Sequence, residues 1–386
     1  VMGILLAMSL WSYLYNNRSV SMIHALPLTR EAVFLTNYLS GTLFFLVPNL
    51  LVFLLSLLVQ ALTGAVAIWS LAVWLLCQTL LSFFFFSFAT FLAFVTGHIV
   101  VLPCLYLIFN LLSKVIGFLI GWVMQEFVYG YAQGSIPLLS WFEVWLSPIY
   151  ALYSGLHITY PANYTGSPNQ LAEIQGLSAV YVYALVGVVM AGLAYLLYRR
   201  RQLEYAGEVI SVQFLQPVFK YGVAVCGGLS FGNLFYQFFY SVFPRGLFFM
   251  LLFMLIWGAI FYFAAEMLLR KTFHVLKSSW KGCAFLLLIL FVVTLAMEWD
   301  VTGYESTVPA LDEVKEVRQL YLYEGSSDPE YIAAAISLHE TLLDEKKDIE
   351  RKLSDKDPEF LTLATDAWDR TSYVYTEKAS WQHVTI

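Results

Sequence analysis

No charged side chain occurs anywhere from Ala32 to Ser113. Runs inside that stretch, such as "LTNYLSGTLFFLVPNLLVFLLSLLV", exceed the roughly 20 apolar residues a helix needs to cross bilayer hydrocarbon. Such a run shows no strict apolar–polar alternation, so it reads as helix and not as barrel strand. The feature governs the whole chain of 386 residues, which is 60% hydrophobic and only 12% charged, against roughly a quarter charged in soluble domains. A soluble globular protein is excluded, and an all-α polytopic membrane protein is predicted.

The hydropathy predicts about eight spans. One is partial, at 1–14, and the others lie near 33–60, 68–95, 101–124, 178–198, 221–242, 246–268 and 282–297. The apolar opening at Val1 and the strand-like close "SWQHVTI" predict a piece of a longer protein, with its first span missing and its tail cut.

Charge divides the chain in two. Residues 1–297 hold 12 Lys/Arg and 7 Asp/Glu, whereas residues 298–386 hold 9 Lys/Arg and 20 Asp/Glu. Lys and Arg collect in three loops: Arg18 with Arg30; Arg199, Arg200, Arg201 and Lys220; and Arg270, Lys271, Lys277 and Lys281. Alternating the spans puts all three on one side, which the positive-inside bias assigns to the cytoplasm. The acidic tail then lies outside the cell membrane. The long outer loop 125–177 contains "GSIPLLSWFEVWLSPIYALYSGLHITYP", whose aromatics suit the headgroup level. Its prolines and glycines cut it into short interfacial or re-entrant helices at about 130–156. "NYT" within it matches a glycosylation sequon, a weak three-residue signal.

The tail reads as a small α+β domain. Asp328 and Pro329 open a helix that carries Ile332, Ile336, Leu343 and Ile349 on one stripe. "RQLYLY", "TSYVYT" and "WQHVTI" alternate as strands do.

Catalytic and metal signatures are absent. The sequence has no phosphate loop or zincin motif, and its Gly-x-Ser-x-Gly match, Gly228 to Gly232, falls inside an apolar span and not at a strand-to-helix turn, so no catalytic residue is assigned and the chain binds no cofactor of its own. Six scattered histidines and four cysteines, all in or beside apolar segments, make no metal-binding pattern. Nothing suggests nucleic acid as a partner, whereas membrane lipids surround the spans. Charges within spans are costly and mark function by default. Three stand out: Lys114, Glu126 and Glu266. Glu126 sits at an outer boundary. Glu266 precedes Arg270 by one turn, which predicts an i,i+4 pair. Lys114 has no such local partner. It is either an interior lysine hydrogen-bonded within the bundle or part of a translocation path.

One polar insert, "NNRSVSMIHALPLTREAVF", interrupts the first two apolar runs. Val20, Ile23 and Leu26 are three apart and share a helical face. Pro27 then stops the run, and Thr29 can cap the span that follows. A short amphipathic helix at 19–26 is expected. It serves either as an ordinary interfacial turn or as a docking knob for a cytoplasmic partner.

The segment "MIHALPLTREAVFLTNYLSG" resembles the stretch between the second and third spans of ABC-2 type transporter permeases, where a Leu-Pro-x-[Ser/Thr]-Arg pattern recurs. "RRRQLEYAGEVISVQFLQPVFKYGVAV", "EMLLRKTFHVLKSSWKG", "GYESTVP" and "SLHETLL" are similar to the Ytr-type permease subunits of Gram-positive bacteria. The resemblance implies an ABC-2-like transmembrane core over 1–198, then a cytoplasmic linker with three further spans over 199–297, and the outer domain over 298–386. It implies a coupling helix at 19–34, with Val20, Ile23, His24, Leu26, Pro27, Arg30 and Glu31 touching a separate ABC ATPase subunit. That subunit would hold ATP and magnesium, so this chain would not itself be an enzyme. It further implies a second permease, as homo- or heterodimer, and export of a substrate or removal of a cell-envelope-active compound. Two alternatives stand: a non-transporting envelope sensor or mechanical relay acting through the outer domain, and a secondary carrier.

Overall fold

The computed structural model describes residues 2–64, 67–128, 137–159, 173–201, 207–239, 247–301, 303–304, 306–314, 317 and 327–354. Among these, seven helices are long and apolar enough to cross a membrane. The protein is an all-α polytopic membrane protein. The partial span expected at 1–14 is α1 (Met2–Trp11), continued by a 3-10 turn (Ser12–Tyr15). The tail segments expected as strands, the "NYT" sequon and the side chain of Glu126 lie outside the described residues.

The residues group into two compact units: Val1–Gly117 with Leu138–Phe219, and Phe118–Pro137 with Lys220–Ile386. The first unit begins with α1, α2 (Asn17–His24) and α3 (Arg30–Thr63). As expected, Thr29 caps α3: its Oγ1 accepts from the Ala32 amide at 3.3 Å, satisfying a donor the helix itself leaves open. At the far end Gly64, with φ at 74°, closes the helix in the left-handed conformation that glycine adopts without strain. With 34 residues, α3 is about 50 Å long, more than the hydrocarbon thickness, and it contains Pro48.

The centre of this unit is α4 (Ile68–Val95), buried along its second half from Phe84 to Val95. Against it pack α1 and α8 (Leu177–Arg200). Gly3 lets α1 come down on α4, because a Cβ there would lie 2.9 Å from the Phe85 carbonyl carbon. Hydrocarbon solvent offers no hydrophobic drive to pair helices, so close approach through small residues and ring packing supplies the cohesion. Trp11 is fully buried and meets Phe34 at 5.6 Å and Phe94 at 4.8 Å between ring centroids.

In the same unit lies the first part of α5 (Val101–Phe127), followed by two short helices, α6 (Pro137–Trp145) and α7 (Pro148–Gly155). Pro148 at the first turn of α7 suits a helix start and cannot continue α6, so the break falls at Leu146–Ser147. Both fall within the segment read from the sequence as cut by prolines and glycines into short helices at about 130–156. Strands β1 (His157–Thr159) and β2 (Glu173–Gln175) pair antiparallel, Ile158 opposite Ile174.

The second unit holds the end of α5 with α9 (Leu215–Phe238, from Lys220), α10 (Leu247–Arg270), α11 (Leu276–Glu298) and α12 (Pro329–Ser354). In α9, Gly232 lies against the α10 backbone, where a Cβ would come within 2.6 Å of Met254 Cα. Around that contact Val123, Phe127, Tyr236, Met250 and Met254 are buried together. Asp328 Oδ1 accepts from the Glu330 amide at 3.2 Å at the start of α12, as its sequence predicts, and Ile332 is buried.

Candidate functional site

The insert between α1 and α3 folds much as its residues suggest. Asn16 caps α2 through Oδ1, which accepts from the Arg18 amide at 3.0 Å. The helix ends at His24, two residues earlier than the 19–26 reading, with Ala25 at its C-cap. That shortening splits the expected face. Val20 is buried in the core beside Trp11 and Leu14, Ile23 is half-buried, and Leu26 lies beyond the helix and exposed. Pro27 is exposed, and the side chain of His24 is outside the described set. The outward apolar groups are instead Met22, Leu26 and Leu28, at 67%, 49% and 58% exposure.

Arg30 and Glu31 do not simply face water. Arg30 donates through one guanidinium nitrogen to the carbonyl oxygens of Arg199 (3.2 Å) and Arg201 (3.1 Å), at the C-terminal end of α8. Carbonyls there have no intrahelical partner, and a cation complements the helix dipole. Glu31 accepts from the Tyr195 hydroxyl at 2.9 Å, and Arg199 lies 4.0 Å from it.

A second arginine extends the tie. Arg201 donates to the carbonyls of Ala93 (3.0 Å), Phe94 (3.4 Å) and Thr96 (3.2 Å), so it caps α4 as Arg30 caps α8. Burial pushes its pKa below the ordinary arginine value, although a guanidinium keeps its charge in proteins. The hydroxyl of Tyr15 shares the Ala93 carbonyl at 3.2 Å. Beside it, Gly97 exchanges backbone hydrogen bonds with Gly207 and Glu208, and the Ser211 amide donates to the Val95 carbonyl. Thus the ends of α1, α4 and α8 and the start of α3 form one hydrogen-bonded knot next to α2. Arg201 was counted in the sequence only as part of a basic loop. Its capping role had no linear signal, since its three acceptors lie more than 100 positions away.

Lys114 finds its partner in α6. Its Nζ lies 2.6 Å from Glu143 Oε2 and 4.7 Å from the centre of the Tyr150 ring on α7. Ser113 Oγ and Ser147 Oγ are 2.8 Å apart, and Ser147 Oγ also accepts from the Lys114 amide at 2.8 Å. The Trp145 carbonyl at the helix break accepts from Tyr183 of α8 at 2.8 Å. Non-helical backbone at membrane depth requires such protein partners. Gly117, one turn after Ser113, leaves the space that Glu143 fills, since a Cβ there would overlap the carboxylate. The arrangement pairs Lys114 with Glu143 across two helices of the first unit. The lysine side chain is still 38% exposed, against 15% for Glu143. Sequence reasoning passed over Glu143 because it sits in a segment assigned to the outer loop. A lone acid between Trp141 and Trp145, with a lone lysine in the preceding span, was the available signal.

The second unit contains its own charge cluster. Glu266 pairs with Arg270 at 2.7 Å, the expected i,i+4 contact, but also with Lys220 of α9 at 2.9 Å, and it accepts from Ser279 of α11 at 2.7 Å. Lys220 lies over the rings of Tyr221 and Tyr262, at 5.2 and 5.0 Å. Three helices thus meet on one buried carboxylate. No group of three or more metal-ligating side chains occurs among the described residues. No family model matches the chain, and no curated protein or solved structure matches it either.

Proposed function

We propose that this chain is the permease subunit of an ABC-2 type transporter, similar to the Ytr-type subunits, with α2 and its Pro27 corner as the contact for a separate ATP-binding subunit. The observation that carries the reading is the geometry of the insert. A capped two-turn helix and the turn after it present Met22, Leu26 and Leu28 outward, while Val20 and Arg30 fasten them to the span ends. Three outward apolar side chains in one short loop, each contributing about 1.5–3 kcal/mol when fully buried, suit a groove on a protein. On this reading ATP-driven closure of the partner displaces α2, and the arginine knot passes the displacement to α3, α4 and α8. The chain carries no covalent chemistry, and its role is to let an exported or envelope-active compound cross.

Met22→Asp with Leu26→Asp places two charges on that surface without altering any span or any buried side chain. Membrane insertion is expected to be normal. Co-purification of the ATPase subunit and stimulated ATP hydrolysis are both expected to fall at least about tenfold, the equivalent of 1.4 kcal/mol. Unchanged co-purification and stimulation would reduce the loop to an interfacial turn.

The same reading puts the acidic tail outside the cell. A cysteine at Ser326, in a chain with Cys77, Cys104, Cys226 and Cys283 replaced by alanine, is expected to react with an impermeant maleimide on intact cells. Labelling confined to lysed cells would reverse the topology.

A further inference from the structure

The basic residues at the span ends differ in what they touch. In the first unit Arg30 and Arg201 are taken up by carbonyls, and Arg199 lies beside Glu31. At the connection between α10 and α11, Arg270 is taken up by Glu266 and Ser278. Lys271, Lys277 and Lys281 are exposed, and none has an acceptor among the described residues. No acid occurs between Glu266 and Glu298 to neutralise them. Lys277 and Lys281 stand four apart on one face of α11, where like charges repel. Interleaved with them are Phe273, Leu276 and Trp280, exposed at 83%, 57% and 56%. Lys271 is held with φ at 53°, left-handed backbone that a lysine seldom adopts, as the chain turns out of α10.

Unspent ammonium groups beside exposed apolar and aromatic side chains, at the end of two spans, match one kind of ligand: a phosphate attached to acyl chains. We propose that the α10–α11 turn binds the headgroup of an anionic phospholipid. The phosphate sits between Lys277 and Lys281 and relieves their repulsion, Lys271 closes on it from the turn, and Phe273, Leu276 and Trp280 lie along the glycerol and upper acyl region. Lysines at this level attract anionic headgroups electrostatically, and tryptophan favours the same depth.

The test uses the full chain reconstituted in vesicles of equimolar phosphatidylcholine and phosphatidylglycerol, re-extracted in detergent and washed, with the retained lipid measured by mass spectrometry. Wild-type protein is expected to retain phosphatidylglycerol several-fold over phosphatidylcholine. The triple change Lys271→Gln, Lys277→Gln and Lys281→Gln is expected to bring the two to parity while the melting temperature in pure phosphatidylcholine stays unchanged. If the triple variant melts early, the three single variants take its place, each expected to lower the enrichment. Phe273→Ser with Trp280→Ser, which changes no charge, is expected to lower it too. Wild-type protein without enrichment overturns the proposal, as do lysine variants with full enrichment. Displacement of the lipid by millimolar inorganic phosphate overturns it as well, since a free anion would then be the ligand and the apolar flank would contribute nothing.

Discussion

Replacing Lys114 by methionine is expected to destabilise the first unit by about 1–3 kcal/mol, the cost of stranding a largely buried acceptor, discounted from a fully buried ion pair because Lys114 is partly exposed. Glu143 would keep its place beside Gly117 with no cation against it. The Ser113–Ser147 contact would persist, because it does not involve the lysine side chain. Pairing Lys114→Met with Glu143→Leu is expected to recover most of the loss, since a well-packed apolar pair of similar volume often replaces an ion pair without penalty. Melting temperatures of the wild type, the two single variants and the double variant, measured in one detergent, give the coupling energy directly. Additive single effects would show that the 2.6 Å pair contributes nothing specific. If stability recovers in the double variant but the transport proposed above does not, the pair acts in transport. Full recovery of both leaves it as the pin that holds the α6–α7 break at membrane depth.

A larger loss, about 3–5 kcal/mol, is expected for Glu266→Leu in the second unit. Arg270 is half-exposed and can turn to water, but Lys220 is only 17% exposed and stays beneath Tyr221 and Tyr262. The readout is close at hand, because Cys283 is buried in the same cluster as Tyr262. In a chain keeping Cys283 as its one thiol, a thiol-reactive dye is expected to label Glu266→Leu at a markedly lower temperature than its parent. Adding Lys220→Met is expected to restore protection. Equal labelling curves for parent and variant would mean that the three helices hold together without the carboxylate.

What could be read from the sequence follows a simple divide. Spans announce themselves because each needs its own apolar length and satisfies its backbone internally, and seven of the expected spans are helices here. Local caps were legible for the same reason: Thr29, Asp328 and the Glu266–Arg270 pair act within one turn. The proline break before α7 was legible too. Hidden from a linear reading was everything that joins distant helix ends. Arg201 looked like one of three loop arginines, Lys220 like a loop lysine, and Glu143 like part of an interfacial segment. Each becomes distinctive only when folding brings a carbonyl or an opposite charge from another helix beside it. The insert shows the divide within a single loop. Its helix was expected from spacing, but the burial of Val20 in the core was not, because three apolar residues on one side do not say which neighbour covers them.

The anchoring of α3 has a mechanical consequence. Its buried residues are Phe34, Gly41 and Phe45, all before Pro48, while most large side chains from Leu50 to Leu62 are exposed. The base of the helix is clamped by Arg30 and by ring packing, whereas the portion after the proline has no buried residue and is tied at its tip to the start of α4, where Gln60 Oε1 accepts from the Ala67 amide at 2.9 Å. A clamped base and a sparsely packed arm concentrate bending where the clamp stops, and there Pro48 has already removed a hydrogen bond from the ladder. A small rotation at the base is therefore expected to move the far tip together with the Gln60–Ala67 tie. A label at Thr63 is therefore expected to report bending at Pro48.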